Sequence, residues 1–171
     1  FDSAKRSLPP AAPVAIALVI VAIVVALIAF VFRAKPVAQG GIEEVFASEQ
    51  SAYPGVMVAI QLTLRNVEQK PIYIKGITAE LKTDEGTFND EAASPSDYER
   101  YFGAYPDLKV HATEPLKVET KIPPGGEQKG TVLVSFQVTK QQFDARKDLT
   151  VTVQPYDQRP IVFHERGTQE K

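Results

Sequence analysis

The chain opens with one continuous apolar run and then changes to alternating apolar and polar positions. Residues 11–32 read AAPVAIALVIVAIVVALIAFVF, without a charged or hydrogen-bonding side chain. A helix of that length is about 33 Å long, which is enough to cross a hydrocarbon core of about 30 Å. Prolines at its start and Arg33 and Lys35 just after it suit the ends of a membrane span. The pattern predicts a transmembrane helix over residues 11–33, after a tail at 1–10.

A cleaved signal peptide is the alternative for this run. Its apolar region would be about 7–15 residues long and end at small residues, whereas Phe30-Val31-Phe32-Arg33 is bulky, so a retained anchor is favoured. Lys5 and Arg6 before the run balance Arg33 and Lys35 after it, and flanking charge therefore does not fix the orientation. The predicted location is the cell membrane. A short basic tail before a single span commonly stays in the cytoplasm, so we expect a cytoplasmic N-terminus and an extracytoplasmic (periplasmic) C-terminal domain.

Alanines form a small-residue stripe on the predicted helix, at Ala22, Ala26 and Ala29. Small residues let membrane helices approach closely, so the stripe predicts packing against another membrane helix. A plain lipid-facing span explains the same three residues equally well.

From residue 42, after a predicted linker at 34–41, apolar residues recur at every second position. This period indicates half-buried strands, and a slip in phase at Gly76 predicts a β-bulge. Strands are predicted near residues 42–46, 56–64, 72–81, 116–122, 132–138, 149–153 and 161–163. About seven strands predict an all-β, immunoglobulin-like antiparallel β-sandwich over residues 42–164, before a tail at 165–171. Its predicted core contains Val58, Ile60, Leu62, Val132, Val134, Phe136, Val151 and Val153.

Two short helices are predicted between the strands. The first, over residues 139–147, is capped by Thr139 and turns Phe143 inward. The second covers residues 94–105, where Ser96 and Glu99 have capping-box spacing and Pro106 ends the helix.

The second helix carries aromatic residues at i, i+3, i+4 and i+7, which lie on one helix face: Tyr98, Tyr101, Phe102 and Tyr105. We expect this face to close one end or edge of the sandwich, with Tyr98 and Tyr105 more exposed than the two residues between them. The alternative is a partner-binding surface, since tyrosine suits a site that is apolar at one end and wet at the other.

Two segments resemble bacterial membrane-anchored immunoglobulin-like (telokin-like) domain proteins of unknown function: LRNVEQKPI and IPPGGEQKGTVLVSF. The likeness rests on the asparagine-containing turn at 66–71, the Pro-Gly turn at 124–125, and Gly130, Val132 and Phe136 in the strand that follows. It covers residues 42–163 and implies an immunoglobulin-like fold. These motifs are turn and core signals, so they imply no catalytic residue.

The residue composition limits the kinds of binding site and catalysis that the chain can support. Residues 36–171 carry 15 basic and 20 acidic residues, without the basic stripe of a nucleic-acid-binding protein. The absence of cysteine excludes disulfides, thiolate catalysis and cysteine-ligated metals. His111 and His164 have no metal-spaced partner in the sequence and are expected to be exposed at strand ends. An acidic cluster could hold calcium but lacks EF-hand spacing, which favours solvated carboxylates: Asp84, Glu85, Asn89, Asp90 and Glu91.

No catalytic, cofactor-binding or metal-binding residue is predicted, because nucleophile–base and nucleotide-binding motifs are absent from the sequence. The favoured function is a non-catalytic accessory or scaffolding subunit of a larger membrane complex, with membrane lipid and other membrane protein subunits as partners. The alternative is an envelope- or ligand-binding module that acts alone at the membrane surface.

Overall fold

The computed structural model describes residues 11–31, 36–49 and 55–165, with side chains from residue 14 to 28 in the first segment. The chain forms two compact units, residues 1–35 and 36–171. In the first unit, helix α1 spans Ala11–Val31, and the side chains described in it are apolar and exposed. Among the residues described with their side chains, no helix is both long and apolar enough to cross a membrane. The predicted helix is therefore confirmed, whereas its crossing of a membrane stays a prediction.

The described part of the second unit is mainly β-structure. Its elements, in chain order, are β1 (Ala38–Glu49), β2 (Val56–Asn66), β3 (Ile72–Lys82), β4 (Thr87–Glu91), a 3-10 turn (Pro95–Asp97), α2 (Tyr98–Ala104), α3 (Pro106–Val110), β5 (Lys121–Ile122), β6 (Glu127–Phe136), α4 (Lys140–Asp144), β7 (Asp148–Pro155) and β8 (Ile161–His164).

The strands form two antiparallel sheets that enclose one apolar core as a β-sandwich. One sheet has the order β1-β2-β6, and the other has the order β4-β3-β7-β8, with β5 paired to the start of β3. The core draws residues from both sheets. All eight predicted core residues are at most 1% exposed, which confirms the strand phase read from the sequence. The bulge predicted at Gly76 is confirmed as well, because the register against β7 shifts between Ile74 and Gly76.

The first strand begins earlier than predicted. Residues 38–41, assigned to a linker, belong to β1, where Gly40 pairs with Leu64. Gly40 has φ +143°, and a Cβ there would lie 1.9 Å from the carbonyl oxygen of Thr63. Only glycine fits so close to the neighbouring strand. The last four residues of the predicted linker, with both of its glycines, are therefore part of the sheet.

The strand predicted at 116–122 is wrong over most of its length. Within it only Lys121–Ile122 pair as a strand, and Glu119 has a left-handed backbone with φ 62°. This stretch passes from the edge of β6 to the edge of β3: Leu116 N donates to Thr131 O at 3.0 Å, and Glu119 N donates to Ile74 O at 2.7 Å. Conversely, β4 was not predicted, because Phe88 is its one apolar residue.

The helix predicted after β6 is confirmed. Thr139 caps α4: its side chain accepts a hydrogen bond from Gln142 N, and the Gln142 side chain accepts one from Thr139 N at 2.7 Å. Both groups of a capping box are therefore paired. Phe143 is 2% exposed, and its ring lies 6.4 Å from that of Phe136.

A buried asparagine joins the loops at one end of the sandwich. Asn66 is fully buried, and its side-chain amide donates to Lys70 O at 2.8 Å and to Ile122 O at 3.0 Å. Its side-chain oxygen accepts a hydrogen bond from Glu68 N at 2.9 Å, and its backbone N donates to Gly126 O at 2.9 Å. The turns after β2 and before β6 are thus held by the residue that the sequence marked as a turn signal.

Phe136→Ala should reduce the free energy of unfolding by about 3–5 kcal/mol, because it removes a ring packed against Phe143 in a closed core. Urea denaturation followed by circular dichroism measures the change. Val162→Ala on β8, at a position that is 48% exposed, is the control and should cost less than about 0.5 kcal/mol. Equal losses for the two variants would contradict the assigned core.

Candidate partner-binding surface

Residues 92–113, here called the helical insert, leave β4 and cover the outer face of the three-stranded sheet. Tyr98 and Leu108 of the insert are 4% and 0% exposed and form a second apolar cluster with outward-facing residues of β2 and β6. Those residues, Met57, Ala59 and Leu133, occupy positions between the predicted core residues, and all three are buried. This stretch of the sheet is therefore buried on both faces.

The insert also closes the free edge of β6, which pairs with β2 on its other side. The Tyr98 hydroxyl donates to Thr131 O at 2.8 Å and accepts a hydrogen bond from Leu133 N at 3.2 Å. Ala93 N donates to Leu133 O at 2.8 Å. A tyrosine side chain thus takes the place of a neighbouring strand, since it pairs one carbonyl and one amide of the β6 backbone.

The chain that returns from the insert closes the rest of this edge. Thr131 N donates to Glu114 O at 2.8 Å, and Leu116 N donates to Thr131 O at 3.0 Å. Gly130 makes the approach possible, because a Cβ there would lie 2.8 Å from Leu116 N and 2.9 Å from Glu114 O. Gly130 is therefore needed for close backbone contact rather than for an unusual dihedral angle.

Burial raises the pKa of Tyr98 to about 12. Desolvation is the larger cause, because the phenolate would be formed inside the apolar cluster, while the hydrogen bond from Leu133 N opposes it. The hydroxyl therefore stays protonated at neutral pH and keeps its donor role toward Thr131.

The structure corrects the predicted arrangement of the four aromatic residues. Tyr98 is the most buried of them, whereas Tyr101, Phe102 and Tyr105 are half-buried around the cluster. Tyr98 and Tyr105 therefore are not equally exposed ends of one face. The helix does not close an end of the sandwich, but the prediction that it closes an edge is confirmed, because it covers the edge of β6 and the outer face of that sheet.

The helix boundaries explain this difference. The chain enters through a 3-10 turn, so α2 begins at Tyr98 itself. The predicted capping box is not formed, because the Ser96 hydroxyl pairs with that of Ser94 at 2.8 Å. Pro106 ends α2 as predicted, but it also begins α3, which brings Leu108 into the cluster. The regular i, i+3, i+4, i+7 face therefore stops at the break between α2 and α3.

The outer side of the helical insert carries one highly exposed apolar residue among exposed charged ones, which are Glu99, Arg100, Asp107 and Lys109. Val110, at the end of α3, is 83% exposed, the highest value among the large apolar residues described. Gly103 and Ala104 are exposed at the end of α2, and Tyr101 and Tyr105 keep part of their rings accessible. These accessible residues lie on elements whose inner side is fixed to the sheet.

His111 is not an exposed strand-end residue as predicted. It follows α3, and its ring stacks on Phe46 at 3.8 Å with an interplanar angle of 10°. Its Nδ1 lies 2.6 Å from a carboxylate oxygen of Glu44, and Gln61 Nε2 donates to the other Glu44 oxygen and to His111 O, both at 2.9 Å. These contacts hold the end of the insert on β1 and β2. His164 is exposed at the end of β8, as predicted.

The acidic cluster does not converge on one point. Asp90 accepts a hydrogen bond from Ser135 N at 2.6 Å and so pairs a further amide on the edge of β6. Asp84 instead forms an ion pair with Lys147 at 2.6 Å. Within residues 36–49 and 55–165, no three His, Cys, Asp or Glu side chains are grouped so as to hold a metal ion.

On α1, Ala22 and Ala26 of the predicted packing stripe are exposed. The side chain of Ala29 lies outside the described residues. The stripe therefore stays a prediction.

Comparison with known proteins identifies no family for this chain. No protein-family model matches it, and no curated protein is similar to it. Among solved structures, a conserved hypothetical protein from Bacillus anthracis, determined at 2.2 Å, is similar to it at 11% identity with a TM-score of 0.37. The alignment covers 76% of this chain and 89% of the other. A TM-score of that size does not establish a shared fold.

Tyr98→Phe should reduce the free energy of unfolding by about 1–3 kcal/mol, because it removes the acceptor of the buried Leu133 N, while Thr131 O keeps the hydrogen bond from Leu116 N. Tyr101→Phe is the matched control: it removes a hydroxyl that contacts the exposed Arg100 at 3.4 Å and should cost little. Urea denaturation measures stability, and hydrogen exchange of the Leu133 amide should accelerate in Tyr98→Phe alone. Unchanged exchange at Leu133 would contradict the assigned role.

Proposed function

We propose that this protein is a non-catalytic, single-span membrane protein that serves as an accessory or scaffolding subunit of a larger membrane complex. In this proposal its β-sandwich docks, through the outer side of the helical insert, on the extramembrane face of another membrane protein. The observation that carries the proposal is the position of Val110, an 83% exposed valine on a segment whose inner side is fixed to the sheet.

The membrane anchor is supported by the apolar run at 11–32 and by the surface of α1. A helix that is apolar all round has no polar face to turn toward water, so it suits a protein interior or a lipid environment. The large apolar side chains described in α1 are all exposed; Val14 has the lowest exposed fraction, 43%, and Leu18 has the highest, 65%. Lipid is the environment we propose for them.

An immunoglobulin-like fold, as in the telokin-like proteins that the sequence resembles, is supported by the strand order. In immunoglobulin lettering, β1-β2-β6 corresponds to strands A-B-E, and β4-β3-β7-β8 corresponds to C′-C-F-G. In this scheme the helical insert lies between C′ and E. The insert is then an addition to a common framework, which fits a role specific to this protein.

Docking through the insert is supported by the type and the setting of its exposed residues. Aromatic residues are enriched at protein interfaces, and a fixed backbone lowers the entropy lost on binding. Tyr101, Tyr105 and Val110 offer such a surface, while Tyr98 and His111 hold the segment on the sheet. The domain can therefore present these side chains without rearrangement.

The membrane topology can be tested in a chain that has no natural cysteine. Glu85→Cys places a single thiol in the exposed turn between β3 and β4. We expect this variant to react with a membrane-impermeant maleimide in intact bacterial cells and to stay with the membranes after alkaline carbonate extraction. Deletion of residues 11–32 is the control and should release the protein from the membranes.

Two results would contradict this topology separately. Release of the full chain by carbonate would exclude an integral anchor. Labelling that requires cell lysis would place the domain on the cytoplasmic side instead.

Partner docking predicts that Val110→Asp leaves the melting temperature unchanged and removes a stoichiometric membrane partner from the detergent-extracted complex. The added charge would lie in the centre of the proposed contact, where its desolvation opposes binding. Val162→Asp on the outer face of β8, where the valine is 48% exposed, is the matched control and should keep the partner. A chain that purifies alone and monomeric would favour the independent ligand-binding module.

A further inference from the structure

One end of the sandwich concentrates exposed apolar side chains. We call it the Asn66 end; it consists of residues 65–75, 117–127 and 155–160. Within residues 36–49 and 55–165, six large apolar residues are exposed, and four of them belong to this end. They are Val67 at 42%, Tyr73 at 40%, Val118 at 49% and Tyr156 at 51% exposed.

Two of these residues line a shallow groove of about 410 Å³ together with Lys70, Pro71, Pro155, Asp157 and Gln158. The Tyr156 hydroxyl donates a hydrogen bond to the Glu119 carboxylate. The Tyr73 and Tyr156 segments are joined through the backbone, because Tyr156 N donates to Tyr73 O at 3.1 Å. The Lys121 ammonium lies 5.7 Å from the centre of the Tyr73 ring. Aromatic rings beside lysine side chains are the pairing found where proteins meet lipid headgroups, since both residue types have an apolar body and a polar tip.

Charge is distributed unevenly between this end and the rest of the domain. The three segments of the Asn66 end carry six basic and four acidic residues, whereas the remainder of residues 36–165 carries seven basic and fifteen acidic residues. An anionic surface would therefore attract this end and repel the other faces of the domain.

The same end receives the chain that comes from α1. Ala38, the first residue of β1, pairs with Asn66, the last residue of β2. Six residues, 32–37, separate Ala38 from Val31 at the end of α1. At about 3.3–3.6 Å per residue, a fully extended chain spans at most about 25 Å over that interval.

We propose that the Asn66 end rests on the headgroups of an anionic lipid bilayer, with Tyr73 and Tyr156 in the interfacial layer and Lys70 and Lys121 against lipid phosphates. This proposal rests on the proposed membrane anchor. It adds a second contact with the lipid, made by residues outside α1. Asn66 holds the loops that present these side chains, through its bonds to Lys70 O, Ile122 O and Glu68 N. The surface is therefore formed before it meets the membrane.

The test uses the full chain, one copy per lipid nanodisc that contains phosphatidylcholine and phosphatidylglycerol. Gln69→Cys at the Asn66 end and Gln141→Cys on α4 each carry one environment-sensitive fluorophore; both glutamines are exposed. The eleven residues of β2 separate the two ends of the sandwich by about 35 Å. Headgroup spin-labelled lipid should quench the fluorophore at position 69 and leave the one at position 141 unchanged.

Charge reversal tests the proposed role of the lysines. K70E/K121E should reduce the quenching at position 69, because each lysine lost near an anionic surface lowers the docked-to-undocked ratio about fivefold. K82E/K147E makes the same change in charge at exposed positions of the opposite end and should leave the quenching as it was.

Each other outcome overturns the proposal. Equal quenching at positions 69 and 141, or equal effects of the two double variants, would show that the Asn66 end has no preference for lipid. A fluorophore at position 69 that responds only when two chains share a disc would assign this end to a contact between copies. A chain that does not enter the nanodisc would overturn both this proposal and the membrane anchor.

Discussion

The edge of β6 is the constraint on which the arrangement of this domain depends. β6 is the last strand of a three-stranded sheet, and its residues 130–134 are buried. An unpaired backbone amide or carbonyl in that setting costs about 1–3 kcal/mol, and Thr131 and Leu133 present several toward the edge. The Tyr98 hydroxyl and the backbone of residues 93 and 114–116 pair them, and the Asp90 carboxylate of β4 pairs a further amide of this edge, Ser135 N. A long excursion of the chain thus replaces a fourth strand, and it also removes a template for edge-to-edge aggregation.

In the proposed function, this constraint divides the helical insert between two tasks. Its inner side is committed to β6 and to the cluster around Leu108, so substitutions there act first on stability. Its outer side, with Val110 and the accessible parts of Tyr101 and Tyr105, is not needed to pair the edge of β6. A surface for a partner can therefore vary on one side of the segment while the other side keeps the sheet closed.

The sequence predicted the parts of the fold that depend on local patterns and missed those that depend on distant contacts. Period-two alternation found the core around Val58 and Phe136, and the capping residues of α4 are all within four positions of one another. The burial of Met57 depends on a segment about 40 residues away, which covers the outward face of its strand. The burial of Tyr98 also depends on distant contacts, because its hydroxyl bonds to residues 33 and 35 positions later in the chain. Helical periodicity ranks residues around a helix axis and contains no information about such bonds.

The two candidate surfaces also differ in how much of each could be predicted from the sequence. The aromatic spacing at 98–105 predicted a helix that packs on the sandwich, but it could not tell the tyrosine that pairs β6 from those that stay accessible. Tyr73 and Tyr156 gave no signal at all, because they are 83 positions apart in the sequence and meet only where β3 begins and β7 ends. Pairing of distant strands creates that groove, so only the folded chain reveals it.

In the proposed arrangement, tethering determines how strong each surface has to be. A short linker raises the effective concentration of a tethered domain near its anchor to the millimolar range, so contacts that are weak in solution are occupied much of the time. A few exposed side chains, such as Val110 on the insert or Tyr73 and Tyr156 at the Asn66 end, can then be sufficient. Larger apolar patches would add affinity that the tether makes unnecessary and would expose the domain to aggregation. The small size of both surfaces is thus what a membrane-anchored domain requires, whereas a freely diffusing binding protein would need a larger one.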